Sequence, residues 1–72
     1  TDPQQGSPRN NLSVTIAELE PLGDLVRVRG DDHHGHLLAA DVTPLSVAEL
    51  DLYPGRDVTY SIKAAAVTIY PL

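Results

Sequence analysis

Seventy-two residues with a formal net charge of −5 make one small domain, too short to bury a large core, so self-assembly or a parent protein is expected to add stability. The chain has no Cys, Phe, Trp or Met, which rules out disulfides and thiolate metal sites and leaves Val, Leu, Ile and Ala as core material for a β-rich domain. The acidic balance argues against capture of nucleic acid or anionic membrane by bulk attraction, so any bound anion must be held locally.

No run approaches the roughly 20 apolar residues that span a bilayer, and the N-terminus lacks the basic and apolar regions of a signal peptide. The chain is expected to be soluble and cytoplasmic, without direct membrane insertion. It begins at Thr1 rather than Met, which predicts a processed chain or a piece of a larger one.

Residues 1–8 (TDPQQGSP) are polar and rich in Pro and Gly, a linker or lead-in ahead of a domain over 9–72. Leu12, Val14 and Ile16 alternate with Ser13, Thr15 and Ala17, a half-buried strand whose pattern slips at Glu18 and Leu19 as at a bulge. Pro21 to Asp24 reads as a turn. Val26 and Val28 then face one way and Leu25, Arg27 and Arg29 the other, in a second strand, and Gly30 to Gly35 reads as an exposed hairpin connection. Leu38, Ala40 and Val42 mark a third strand that runs into Thr43.

Thr43 followed by Pro44 is a helix start, with Thr as N-cap and Pro at the first helical position. The helix is expected over about Pro44 to Leu50, with Val47 and Leu50 on one face to plug an end of the sheet. Tyr53, Pro54 and Gly55 turn the chain out. Val58, Tyr60 and Ile62 form a fourth strand alternating with Thr59, Ser61 and Lys63, and Val67 and Ile69 a fifth after a bend over Ala64 to Ala66. The order β-β-β-α-β-β predicts an all-β, five-stranded, OB-fold-like Greek-key barrel with one short helix between strands 3 and 4; a small SH3-like barrel is the rival.

A helix start with hydroxyls at Thr43 and Ser46, free amides and a nearby Lys63 suits a small anion. Taken singly, a Thr-Pro start is a cap, a strand-end lysine is a solvated charge and Ser-Pro-Arg-Asn is a linker. His33, His34 and His36 offer transition-metal ligands, but beside Asp31 and Asp32 they read as a solvated loop, and neither zinc-finger nor HExxH spacing occurs. No nucleophile–base pair or GxxxxGK[ST] loop is present, so an enzyme is not expected and this chain alone is not an ATPase. Tyr53, Tyr60 and Tyr70 are too few aromatics, on too acidic a chain, for single-stranded nucleic acid.

Ser7-Pro8-Arg9-Asn10, Thr43-Pro-Leu-Ser46-Val47, Leu52-Tyr-Pro-Gly55 and Ile62-Lys63-Ala64 followed by Val67, in this order, resemble the molybdate-binding Mop or TOBE domain. The variant most resembled is the C-terminal domain of the molybdate ABC transporter's ATP-binding subunit, with free-standing molbindins as relatives. Pro8 stands where the family has a small or apolar residue, which stiffens the approach to Arg9.

The resemblance implies an OB-like domain that assembles with itself, as a homodimer or higher oligomer, and binds molybdate or tungstate at subunit interfaces, with no organic cofactor. Its ligands would be Ser7, Arg9, Thr43, Ser46, Lys63 and the amide of Ala64. It implies a regulatory or accessory domain of a molybdate importer ATPase, partnered by the ATP-binding and membrane subunits at the inner face of the membrane, or a small molybdate-binding protein. The alternative is a purely structural dimerisation module that binds nothing.

Overall fold

The structure, a computed structural model, describes residues 10–72. The boundary drawn between 8 and 9, and the Ser7 and Arg9 ligands, lie outside the described residues. Five strands and one helix follow in the order β1 (Asn10–Leu22), β2 (Leu25–Asp31), β3 (Leu37–Val42), α1 (Pro44–Glu49), β4 (Asp57–Lys63) and β5 (Ala66–Pro71). The five strands are joined in one antiparallel sheet of spatial order β3-β2-β1-β4-β5.

β1 is long because it serves two partners. Asn10–Thr15 pair with β4, Thr15–Leu22 pair with β2, and the change of partner falls beside a register shift between Ile16 and Glu18. Ala17 is the extra residue there, and a bulge at this point bends β1 from one half of the sheet to the other. The resulting curl brings β3 and β5 within 8 Å at their Cα atoms without joining them by ladder hydrogen bonds. The sheet is OB-like and its barrel stays open along this β3/β5 seam.

Val14, Ile16, Val28, Ala40, Leu52, Val58, Tyr60 and Ile69 are the buried hydrophobic core. They are mainly the inward positions of the predicted alternation, and each large one contributes about 1.5–3 kcal/mol by leaving water. Tyr60 is fully buried, and its hydroxyl donates to the Val28 carbonyl at 2.9 Å. Burial pushes its pKa up to about 12.

Three sequence expectations change. Gly30 is not loop but a buried position of β2, opposite Ile16. A Cβ there would stand 2.8 Å from Val14 Cγ2 and 3.0 Å from Tyr60 Oη, so glycine is required by close approach rather than by a turn. The connection after β2 is shorter than expected, with residues 32–36 between strands. The β1–β2 turn is likewise only Gly23-Asp24, with Pro21 inside β1 opposite Val26. Proline is tolerated there because β4 pairing ends at Thr15, leaving that flank of β1 open. On β4 the inward run ends early: Ile62 is only half-buried while Ser61 is buried.

The helix is short and capped at both ends. Its C-terminus is a Schellman motif with Asp51 in the left-handed position at φ 55°: Asp51 N–H donates to Ala48 O at 3.2 Å and Leu52 N–H to Val47 O at 3.0 Å. The Arg56 guanidinium adds donors to the carbonyls of Leu50 at 2.8 Å and Asp51 at 2.6 Å. Leu52, which follows this stop, drops into the core, and Val47 and Leu50 pack against it, as a plug should.

Candidate functional site

Thr43 sits at φ −79° and ψ 155°, the extended conformation of an N-cap, and its Oγ1 accepts the Ser46 N–H at 3.1 Å. The same hydroxyl donates to Ser46 Oγ at 3.0 Å. No acidic residue lies in the first turn, so no carboxylate competes for the helix start. The two hydroxyls predicted to act together are therefore in contact.

Lys63 closes β4 opposite Ala66, the first residue of β5. Between them Ala64 and Ala65 form a two-residue hairpin at φ 51° and 69°. Positive φ at both central positions is the type I′ pattern, which suits the twist of a hairpin but costs a residue with a Cβ about 1–2 kcal/mol. Both alanines and Lys63 are exposed. Asn10, which ends the Ser-Pro-Arg-Asn motif, pairs with Ile62, the neighbour of Lys63. No hydrogen bond joins Lys63 to Thr43 or Ser46.

A cleft of about 480 Å³ lies in the β3/β5 seam, walled by Ala39–Asp41 with Arg27 on one side and Ala65–Val67 on the other. Each wall runs into one half of the predicted ligand set: Asp41 leads through Val42 to Thr43, and Ala65 follows Lys63-Ala64. Thr43, Ser46 and Lys63 do not themselves line it.

Three other cations have fixed partners. Arg27 forks onto Asp41 through Nε at 2.8 Å and Nη2 at 3.0 Å, which raises the guanidinium pKa and holds the Asp41 carboxyl below its ordinary range. Arg29 reaches Glu20, with Glu18 at 3.9 Å. Arg56, besides capping the helix, lies 3.6 Å from Asp51 and over the Tyr53 ring. Among the described residues no ion pair uses Lys63. Sequence reasoning missed Arg27 and Asp41 as cleft residues; the signal was their cross-strand register, since β2 and β3 pair them directly.

The three histidines diverge. Thr15 Oγ1 donates to Asp57 Oδ1 at 2.6 Å, so its contact with His33 Nε2 at 3.0 Å has the imidazole N–H as donor. Asp32 accepts the backbone N–H groups of His34 and His36 and meets His36 Nδ1 at 3.1 Å. Those contacts, the His34 N–H first, hold the Asp32 carboxyl below its usual range. Among the described residues, no group of three His, Cys, Asp or Glu side chains is placed to hold a metal ion. Nor is any helix long and apolar enough to cross a membrane.

A curled five-stranded antiparallel sheet with one capped helix and an open polar seam defines a small OB-like domain. The chain belongs to the TOBE domain family, whose model matches residues 6–69. It is 42% identical over 72 residues to the molybdenum import ATP-binding protein ModC of Mycobacterium tuberculosis, covering 97% of this chain and 20% of that protein. It is 36% identical over 70 residues to the molybdate/tungstate import ATP-binding protein WtpC of Pyrococcus abyssi, again covering 97% of this chain and 20% of the relative. The chain thus spans about a fifth of the length of these curated relatives. No solved structure matches it significantly.

Proposed function

We propose that this domain binds molybdate or tungstate, as an accessory domain of an importer ATPase, and that the site draws on Thr43, Ser46, Lys63 and the Ala64 amide together with Ser7 and Arg9. Thr43 and Ser46 follow β3 whereas Lys63 and Ala64 lie where β4 turns into β5, and no hydrogen bond joins Lys63 to the two hydroxyls, so in this reading a second copy of the chain completes the donor set at a subunit interface. ModC and WtpC, by their names, are ATP-binding proteins of molybdenum and of molybdate or tungstate import. This chain would contribute no ATP chemistry of its own; its partners are itself and the transporter's ATP-binding and membrane subunits, at the inner face of the membrane.

The observation that carries the reading is the distribution of positive charge. In the domain as it stands Arg27 and Arg29 are paired with carboxylates and Arg56 with the carbonyls that end the helix, whereas Lys63 stands exposed beside a hairpin whose two alanines are exposed and left-handed. A tetrahedral dianion needs several convergent donors, including one or two cations, and in this reading Lys63 is one of those cations. The chain's net charge of −5 means the anion is recognised by those donors and not by the overall field.

The Thr43–Ser46 contacts also favour a second reading, in which the hydroxyls serve only as a cap and the domain is a dimerisation module. Isothermal titration of the 72-residue chain with molybdate, tungstate and sulfate separates the two. Molybdate and tungstate are expected to bind in preference to sulfate, and Lys63→Ala or Arg9→Ala to abolish the heat while leaving the thermal melt and the mass in solution unchanged. No heat with any of the three anions would leave the dimerisation module.

A further inference from the structure

The cleft in the β3/β5 seam has two charged residues among its lining, Arg27 and Asp41, and small alanines around them. Their side chains are 37% and 39% exposed, so the pair is neither sealed in the core nor fully surrendered to water. Arg27 has five N–H donors in a planar fork, of which Asp41 takes Nε and one Nη2. A carboxylate and a tetrahedral oxyanion can each offer two oxygens to such a fork. Asp41 therefore sits where an oxyanion would sit, two residues before Thr43, across the seam from the residues that follow Lys63-Ala64.

We infer that Arg27 is a further oxyanion-contacting residue and that Asp41 is its built-in competitor, a carboxylate that the incoming dianion displaces from the guanidinium. The inference rests on the oxyanion reading above. With Asp41 in the fork, the cleft carries no net charge, and a solvated anion gains little by approaching. Once the carboxylate has swung away, Arg27 offers its fork as a cation in the seam, whose other wall begins two residues after Lys63. Affinity is then set below what the donors alone would give, which suits a domain that must release its ligand when the concentration falls.

The test is a double-mutant cycle on the 72-residue chain, read by calorimetric titration with tungstate at one fixed, low ionic strength, with a thermal melt of every variant. Asp41→Asn is expected to tighten binding about tenfold, a change of about 1.4 kcal/mol. Arg27→Gln is expected to weaken it about tenfold, and Arg27→Lys, which keeps the charge but not the fork, to fall between. In the Arg27→Gln background, Asp41→Asn should change affinity less than about twofold, because the competitor has lost what it competes for. Equal tightening by Asp41→Asn in both backgrounds would reveal a general effect of surface charge and overturn the inference, as would an Arg27→Gln chain that melts normally and binds like the wild type. Wild-type protein that takes up no tungstate would overturn the oxyanion reading itself. Loss of binding in Lys63→Ala alone, with the Arg27 and Asp41 variants silent, would leave that reading standing and remove only this one.

Discussion

The crossing of β1, β2 and β4 and the seam between β3 and β5 are made from the same kinds of residue, yet they are opposite in character. At the crossing, Val14 and Tyr60 leave no room even for a methyl group at Gly30. At the seam, alanines leave a cleft of about 480 Å³, and the strands meet across it without a ladder. One side of the molecule is closely packed; the other is bordered by a half-exposed ion pair on one wall and a hairpin with two left-handed alanines on the other. If the proposed anion site is right, stability and ligand chemistry belong to different places, and substitutions should separate them.

The strongest way to break that division is at Gly30. Gly30→Ala forces a Cβ against Val14 and Tyr60, and overpacking of this kind costs about 1–3 kcal/mol. In a domain of this size each kcal/mol lowers the melting temperature by roughly 4–8 °C. Differential scanning calorimetry should show that drop, while the fraction that remains folded binds tungstate as the wild type does. A weakened affinity would mean that the crossing and the seam are coupled.

That glycine also marks how far the sequence could be read. Alternation was enough for the five strands, because the period-2 pattern of Leu12–Ile16 or Val58–Tyr60 is a local property of one buried face. Gly30 followed by Asp31 and Asp32 looks like the start of a loop, and only the approach of Val14 and Tyr60 from distant strands makes it part of β2. The same holds at the seam. Thr43 and Ser46 are three apart and their contact follows from helix geometry, whereas Arg27 and Asp41 are fourteen apart and meet only because the β2/β3 register places them opposite.

A smaller effect should follow from Tyr60→Phe, which removes the donor to the Val28 carbonyl and costs about 1 kcal/mol. It should also change the response to alkali. A folded-state pKa near 12, against an ordinary 10.0, means that the Tyr60 contribution is complete below about pH 10 and is lost as pH rises from there toward 12, because the unfolded chain ionises first. Urea melts at intervals between pH 9 and 11 should show wild-type stability falling more steeply than that of Tyr60→Phe. Parallel curves would remove Tyr60 as the cause.

The smallest change sharpens the comparison from the other side. Ala65→Gly relieves one of the two left-handed alanines without altering the backbone amides, and is expected to stabilise the hairpin by a few tenths of a kcal/mol once the greater freedom of glycine in the unfolded chain is subtracted. Equilibrium denaturation would register the gain. Unchanged tungstate affinity is expected alongside it if the amides act through position alone; a loss would mean that the strain itself keeps the hairpin in its binding geometry.

An open seam leaves β3 and β5 with unsatisfied edges, and such edges are templates for aggregation. β3 reads Leu37-Leu38-Ala39-Ala40-Asp41-Val42, an apolar segment with a single charge, and β5 ends at Pro71, which cannot donate to a further strand. Asp41 is thus the gatekeeper of its edge as well as the partner of Arg27. A variant that tightened the proposed ligand by neutralising it would present an uncharged six-residue strand to every neighbouring molecule, and solubility at high concentration would set the limit on how tightly this domain could be made to hold such an anion.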